Sequence, residues 1–231
     1  MPSRGLTLTY RIIKALIRVA MLLLTRTSVR GTELMPRHGA AVVICNHIAA
    51  VDPAVLVGVL PRPIVLMSKV ENYRGALKFF MPLVGAFTVR RGKVDREALR
   101  TAERTLAEGR LLCIFPEGKR GRDGLLEAHS GAALLALRAG APVVPVAIIG
   151  TPRIFLRRFP WVGFPRVTVT VGAPLMLGSA GTAPRREDRE RMTDEIMARV
   201  AALLPPEMRG HYSKACNERH VTRGQGDKVK G

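Results

Sequence analysis

The chain has 231 residues, which is enough to bury the core of one domain. Its hydrophobic content of 47% is high, but no stretch approaches the roughly 20 uninterrupted apolar residues of a spanning helix, so a polytopic membrane protein is not predicted. The formal net charge of +19 indicates an anionic partner, and the aromatic content of 5%, with no zinc-finger, helix-turn-helix or RNP-like pattern, argues against nucleic acid.

The first predicted element is a basic amphipathic helix over residues 8–24. Three cations recur at helical spacing along one side, namely Arg11, Lys14 and Arg18. Five apolar residues are available for the other side: Ile13, Leu16, Ile17, Ala20 and Leu24. We predict that residues 1–28 lie in the headgroup plane of an anionic membrane. The alternative is a helix that covers the protein's own core.

From Ala40 onward, short apolar runs alternate with helical patterns. Runs rich in β-branched residues predict buried strands at 40–45, 64–68, 86–89, 110–115, 143–149 and 166–172. Helices are predicted at 53–60, 76–84, 96–108, 130–139 and 186–204. This alternation predicts an α/β fold with a mostly parallel central sheet flanked by helices. We predict one domain over residues 29–204 and a basic, flexible tail over 205–231.

The segment NHIAAVD, residues 46–52, follows the first buried strand and contains His47 and Asp52. A loop that turns back into a helix can bring this carboxylate to one imidazole nitrogen, which fixes the tautomer and stabilises the imidazolium form. The pair taken alone is equally compatible with Asp52 as a helix N-cap beside an ordinary loop histidine. Cys45 is a weaker alternative nucleophile, because thiols that close an apolar run are usually inert.

Cationic loops follow three other predicted strands. FPEGKRGRDG, residues 115–124, combines glycines that permit close backbone approach with the cations Lys119 and Arg120. GAFTVRRGK, residues 85–93, contains the adjacent arginines Arg90 and Arg91 directly after a strand, and Lys69 follows the strand at 64–68. Because open α/β sheets bind ligands at the carboxyl ends of their strands, these loops are candidates for a phosphate site. Charged solvent-exposed turns are the alternative.

The ordered blocks NHxxxxD, GxFxVxR, FPEGxR and VPVAI closely resemble those of the glycerolipid acyltransferase family, which includes bacterial 1-acylglycerol-3-phosphate acyltransferases. The likeness runs from about Val29 to Pro174. It implies that His47 is the general base and that Asp52 orients it. It also implies that the glycerol phosphate is held by Lys69, Arg91, Glu117, Gly118 and Arg120. The family's usual threonine and serine in FPEGTRS are replaced by Lys119 and Gly121.

The resemblance implies transfer of a fatty acyl group from acyl-CoA or acyl carrier protein to the sn-2 hydroxyl of 1-acylglycerol 3-phosphate. It implies no metal, no cofactor and no covalent intermediate, and a place on the cytoplasmic face of the inner membrane, peripheral or monotopic. Other acceptors remain alternatives, namely glycerol 3-phosphate, a lyso-ornithine lipid or another lysophospholipid. A thioesterase and a noncatalytic lipid-binding protein on the same scaffold are further alternatives.

Overall fold

The computed structural model describes residues 4–69, 84–89, 95–121, 123–155, 164–178 and 184–214. The strands within these ranges are β1 (Arg26–Arg30), β2 (Ala41–Cys45), β3 (Ile64–Lys69), β4 (Phe87–Val89), β5 (Leu111–Ile114), β6 (Val143–Ile149) and β7 (Arg166–Val171). The α-helices are α1 (Arg4–Leu24), α2 (Asp52–Val59), α3 (Arg96–Ala107), α4 (Gly131–Ala139) and α5 (Arg186–Ala202). The helix predicted at 76–84 lies outside the described residues, except for Val84.

The strands form one sheet in the order β1-β7-β6-β2-β5-β3-β4. Each neighbouring pair is parallel except β6 and β7, which are antiparallel. The predicted α/β fold with a mostly parallel sheet is therefore confirmed. The central strand β2 lies between β5 and β6, so the loops that follow these three strands meet at one edge of the sheet.

Both faces of the sheet are covered, which explains the continuous apolar runs in the sequence. Along β2, Val42 and Ile44 pack in one buried cluster, whereas Val43 and Cys45 pack in another. The first cluster also holds residues of α3, α4 and α5, and the second holds residues of α1 and α2. The protein thus has helices on both sides of a central sheet.

Helix α1 packs against α2 rather than lying apart from the domain. Ile17 of α1 packs closely against Gly58 of α2. A Cβ atom added at position 58 would lie 2.7 Å from the Ile17 side chain. Arg18 donates a hydrogen bond of 3.0 Å to the Gly58 carbonyl, and Lys14 donates to the Leu60 carbonyl. These cations satisfy carbonyls at the carboxyl end of α2, where the helix dipole also favours positive charge.

The exposed side of α1 agrees only in part with the apolar side that was predicted, since Leu16, Ala20 and Leu24 are exposed but Ile13 and Ile17 are not. Ile13 and Ile17 pack against the core, so the core-covering alternative holds for these two residues. A second apolar stripe faces outward and consists of Leu8, Ile12, Leu16, Val19, Leu22 and Leu23. The exposed fractions of Leu16 and Leu22 are 64% and 80%. The helix therefore has two apolar faces, and the outward one defines what we call the α1 stripe.

The predicted segment boundaries at 28 and 205 both differ from the structure. Strand β1 begins at Arg26 and pairs with β7 along its whole length, so it belongs to the sheet. Residues 205–214 include two 3-10 helices, Pro206–Met208 and Gly210–Tyr212, and Tyr212 is buried. The Tyr212 hydroxyl accepts a hydrogen bond of 3.0 Å from the Ala128 backbone. The first ten residues of the predicted tail are thus part of the folded domain, and residues 215–231 lie outside the described residues.

Candidate active site

Three neighbouring strands carry the site residues at their carboxyl ends. His47 follows β2, the FPEG loop follows β5, and Thr151 follows β6. The loop after β2 is tied to β6 by Asn46, whose carboxamide accepts a hydrogen bond from the Ile148 N–H at 2.8 Å and donates one to the Ile148 carbonyl at 2.9 Å. The parallel order of the strands therefore brings distant sequence blocks together.

His47 and Asp52 form the pair that the sequence suggested. Nδ1 of His47 lies 2.8 Å from Oδ2 of Asp52. With Nδ1–H donating to the carboxylate, Nε2 is left as the basic nitrogen that can accept a proton. The side chain of His47 is 14% exposed and stacks at 4.5 Å on the ring of Phe115, whereas Asp52 is fully buried.

Asp52 does not cap the helix that it begins. It occupies the first turn of α2, the N-cap residue is Val51, and no side-chain cap bond is present there. The Oδ2 atom instead accepts hydrogen bonds of 2.7 Å from the backbone N–H groups of Ile48 and Ala49. The N-cap alternative is therefore wrong, because the carboxylate points back into the loop that carries His47.

The backbone of His47 is fixed by the loop that follows β5. Its N–H donates to Oε1 of Glu117 at 2.9 Å, and its carbonyl accepts from the Gly121 N–H at 2.9 Å. Both backbone polar groups of His47 are thus held by the FPEG loop. The first and third sequence blocks form one hydrogen-bonded unit.

Glu117 has a different place from the phosphate contact that the resemblance implied. It is only 2% exposed, and its second oxygen, Oε2, accepts from the Leu126 N–H at 2.9 Å. Burial raises the pKa of its carboxyl, and the hydrogen bonds from Leu126 and His47 partly offset this effect. Both oxygens thus accept hydrogen bonds from backbone N–H groups, and the carboxylate joins the loop that carries His47 to the segment that follows the FPEG loop.

The departure from the family pattern at Gly121 has a steric explanation. A Cβ atom at this position would lie 2.4 Å from the Gly124 carbonyl oxygen and 2.9 Å from Oε2 of Glu117. No side chain fits there without a shift of the backbone. Gly121 therefore allows the close approach that its hydrogen bond to the His47 carbonyl requires.

An apolar cavity of about 550 Å³ begins at His47. Its walls include apolar residues from β3, β5, α3 and α4: Leu66, Met67, Ala98, Leu99, Ile114, Leu134 and Leu135. The cavity is also lined by three exposed residues: the cations Lys119 and Arg120, and the titratable His129. The cavity thus joins an apolar interior to a polar, cationic entrance beside His47.

The remaining predicted phosphate contacts fall into two groups. Arg120 and Gly118 line the cavity, and Gly118 has the left-handed φ of +63° that favours glycine. Arg91 lies outside the described residues. The backbone of Lys69 ends β3 beside Val89, but its side chain lies outside the description. The structure therefore brings Arg120 and Gly118 to the cavity of His47.

Neither Cys45 nor Pro145 is among the residues that line the cavity. Cys45 is fully buried, and burial raises the pKa of its thiol well above the usual value, which opposes formation of a nucleophilic thiolate. Pro145, the proline of the VPVAI block, is buried in β6, and its ring lies close to Gly172.

Three residues at the site were not predicted. The Thr151 hydroxyl donates to Oδ1 of Asp52, Asn46 links β2 to β6, and His129 lines the cavity. Asn46 lies within the NHxxxxD block, so its position beside His47 was an available signal. Thr151 and His129 carried no comparable signal, because their partners are set by the arrangement of the strands.

Known proteins are similar to this chain in sequence and in fold. A family model described as acyltransferase matches residues 26–149. The chain is 28% identical to the 1-acyl-sn-glycerol-3-phosphate acyltransferase of Borreliella burgdorferi, over 65% of this chain and 62% of that protein. It is 27% identical to the Bacillus subtilis protein of the same name, over 84% of this chain and 96% of that protein. The crystal structure of the 1-acyl-sn-glycerophosphate (LPA) acyltransferase PlsC from Thermotoga maritima has the same fold, with a TM-score of 0.63 at 22% identity over 85% of this chain and 80% of that chain.

Proposed function

The chain belongs to the acyltransferase family, and we propose that it transfers a fatty acyl group from acyl-CoA or acyl carrier protein to the sn-2 hydroxyl of 1-acylglycerol 3-phosphate. One observation carries the proposal: the His47–Asp52 pair lies at the junction of an apolar cavity and a cationic entrance. Relatives named for this reaction match most of the described domain. The product is phosphatidic acid.

The cavity suits the two unlike parts of the substrates. Leucine and isoleucine side chains along α3, α4 and β5 offer a dry site for a fatty acyl chain. Arg120 offers a fork of donors that matches phosphate oxygens, and Lys119 adds a point charge beside it. We assign Lys69 and Arg91 to the same phosphate on the resemblance alone. An acceptor phosphate at the entrance leaves its free hydroxyl near His47.

The proposed reaction is a direct transfer. Nε2 of His47 takes the proton of the acceptor hydroxyl as the oxygen attacks the thioester carbonyl. Asp52 stabilises the imidazolium that forms. The tetrahedral intermediate then collapses, the carbon–sulfur bond breaks, and the leaving thiolate takes the proton from His47. An ester and a free thiol result, and no acyl group is attached to the enzyme.

The proposal is tested by product analysis with purified protein. The protein is given acyl-CoA or acyl carrier protein thioester together with 1-acylglycerol 3-phosphate, glycerol 3-phosphate, a lyso-ornithine lipid or lysophosphatidylethanolamine, and products are measured by mass spectrometry. We expect phosphatidic acid to form fastest. A faster reaction with another acceptor would replace the proposed substrate. Thiol release that does not require any acceptor would identify a thioesterase instead.

We also propose that the protein binds the surface of an anionic membrane through the α1 stripe, on the cytoplasmic face of the inner membrane. The stripe presents six large apolar residues to solvent, and Arg11 is exposed on the same helix. Such a surface buries apolar area at the headgroup boundary while cations contact anionic lipid. Across the described residues, no helix is long and apolar enough to cross a bilayer.

Charged substitutions in the α1 stripe are expected to reduce membrane binding. The double variant Ile12→Glu, Leu16→Glu places two carboxylates where lipid contact is proposed, and we expect binding to phosphatidylglycerol vesicles to fall by about tenfold or more. Because both residues are exposed, the free energy of unfolding is expected to change by only about 0.5 kcal/mol. Vesicle co-sedimentation measures the effect.

Met176→Glu is the matched control for this experiment. Met176 is an exposed apolar residue outside α1, with an exposed fraction of 60%. This variant is expected to bind vesicles as the unmodified protein does. Unchanged vesicle binding by the double variant in α1 would contradict the proposal.

A further inference from the structure

The carboxylate of Asp52 has a hydrogen-bond donor just after the fourth sequence block, VPVAI. Thr151 follows β6 and is only 1% exposed, and its hydroxyl donates to Oδ1 of Asp52. The other oxygen, Oδ2, accepts from Nδ1 of His47 and from the two backbone N–H groups of the loop. Among the described residues, Thr151 is the donor that holds the oxygen facing away from His47.

The position of Thr151 is itself fixed by the end of β6. Gly150 has a φ of +87°, and a Cβ atom there would lie 2.0 Å from the Arg166 carbonyl oxygen. Only glycine therefore allows the turn that places Thr151 within hydrogen-bonding distance of Asp52. Two hydrogen bonds join Ile148, three residues before Thr151, to the Asn46 side chain. The hydroxyl is thus tied to the same loop that carries His47.

We propose that Thr151 is a positioning residue for the acyl transfer: its hydroxyl fixes the rotation of the Asp52 carboxylate so that Oδ2 stays in line with Nδ1 of His47. This inference rests on the proposed function. Both oxygens of a buried carboxylate need donors. The torsion about the Cβ–Cγ bond has only a broad preference of its own and moves both oxygens together, so the donor to Oδ1 adds to the three donors to Oδ2 in fixing the carboxylate plane. Thr151 does not line the cavity, so its effect on substrate passes through Asp52 and His47.

The test compares three substitutions at this position. Thr151→Val keeps the shape and removes the hydroxyl, and we expect kcat to fall by about tenfold to a hundredfold with KM for both substrates unchanged. Thr151→Ser restores the hydroxyl and is expected to return kcat to within about threefold of the unmodified enzyme. Thr151→Ala serves as a second variant without the hydroxyl, and the serine and alanine variants differ only by that group.

Thr193→Val is the matched control. Thr193 is also buried, but its hydroxyl donates within its own helix to the Arg189 carbonyl, outside the site. Its kcat is expected to stay within about twofold of normal, because the loss of a buried hydroxyl there affects stability and not geometry at His47. Equal loss of kcat in the serine and alanine variants would overturn the proposal, as would near-normal kcat in folded Thr151→Val protein.

A second readout separates this inference from the proposed reaction. The proton on Nδ1 of His47 gives a downfield NMR signal when it is hydrogen-bonded to a fixed carboxylate, and this signal needs no substrate. We expect Thr151→Val to shift or broaden the signal and Thr193→Val to leave it unchanged. An unshifted signal in Thr151→Val would overturn the positioning role. Failure of the unmodified protein to transfer an acyl group would overturn the proposed function and leave the NMR result standing.

Discussion

Replacement of His47 by alanine is expected to lower the rate of acyl transfer by about 10²- to 10⁴-fold, which is the usual contribution of a general base. In the structure, Nδ1 of His47 is hydrogen-bonded to Asp52, and the imidazole ring lines the cavity. Removal of the ring leaves the acceptor hydroxyl without a group to take its proton. Steady-state assays with acyl-CoA and 1-acylglycerol 3-phosphate measure the effect.

The His47→Ala experiment needs controls for folding and for membrane binding. The hydrogen bonds that join the His47 backbone to Glu117 and Gly121 do not involve the ring and are kept in this variant. The thermal midpoint is therefore expected to change little. Vesicle binding is expected to stay intact, because the α1 stripe is unaltered. The matched histidine control is His38→Ala, which changes an exposed residue outside the cavity lining. Transfer by His47→Ala protein at a rate near that of the His38→Ala control would remove His47 from the proposed role.

The second large effect is expected for Asp52→Asn, which separates the charge of Asp52 from its geometry. The asparagine oxygen can still accept from His47, Ile48 and Ala49, and the new amide can donate to the Thr151 hydroxyl, which is able to accept. The loop is therefore expected to keep its structure, with a change of about 1 kcal/mol in the free energy of unfolding. What disappears is the negative charge that stabilises the imidazolium, so transfer is expected to slow by about 10²- to 10⁴-fold.

Asp52→Ala provides the contrasting variant. It leaves the backbone N–H groups of Ile48 and Ala49 without their buried acceptor. We expect this variant to lose about 3 kcal/mol or more of unfolding free energy as well as activity. Chemical denaturation distinguishes the two variants. An Asp52→Asn protein with at least half of the normal rate would show that the charge of Asp52 is not needed.

The packing of α1 gives the membrane proposal a geometric consequence. The side chains of Lys14 and Arg18 donate hydrogen bonds to carbonyls at the carboxyl end of α2. Helix α2 begins with Asp52. Helix α2 therefore connects α1, which carries the exposed apolar stripe, to Asp52, whose carboxylate is hydrogen-bonded to His47. We expect a protein bound through this stripe to hold its active site at a fixed orientation to the lipid surface.

The sequence by itself predicted the elements that are buried on both faces of the sheet. Strands such as β2 and β6 appear as continuous apolar runs, because every side chain is covered. His47 and Asp52 were also singled out from the sequence, because the pair belongs to the ordered blocks that resemble the acyltransferase family; the pair alone was equally compatible with a helix cap. In contrast, β1 has the sequence RTSVR and was not predicted, because an edge strand that is largely accessible lacks an apolar run.

Only the tertiary structure decided which residues surround the His47–Asp52 pair. Glu117 is 70 positions from His47 and Thr151 is 99 positions from Asp52, and no local pattern encodes hydrogen bonds over such separations. The two apolar faces of α1 were likewise ambiguous, since helical periodicity shows that a face is apolar but not whether protein or solvent lies against it. The order of the strands settled the first point, because it brings the loops after β2, β5 and β6 to one edge of the sheet. The packing of α1 against α2 settled the second.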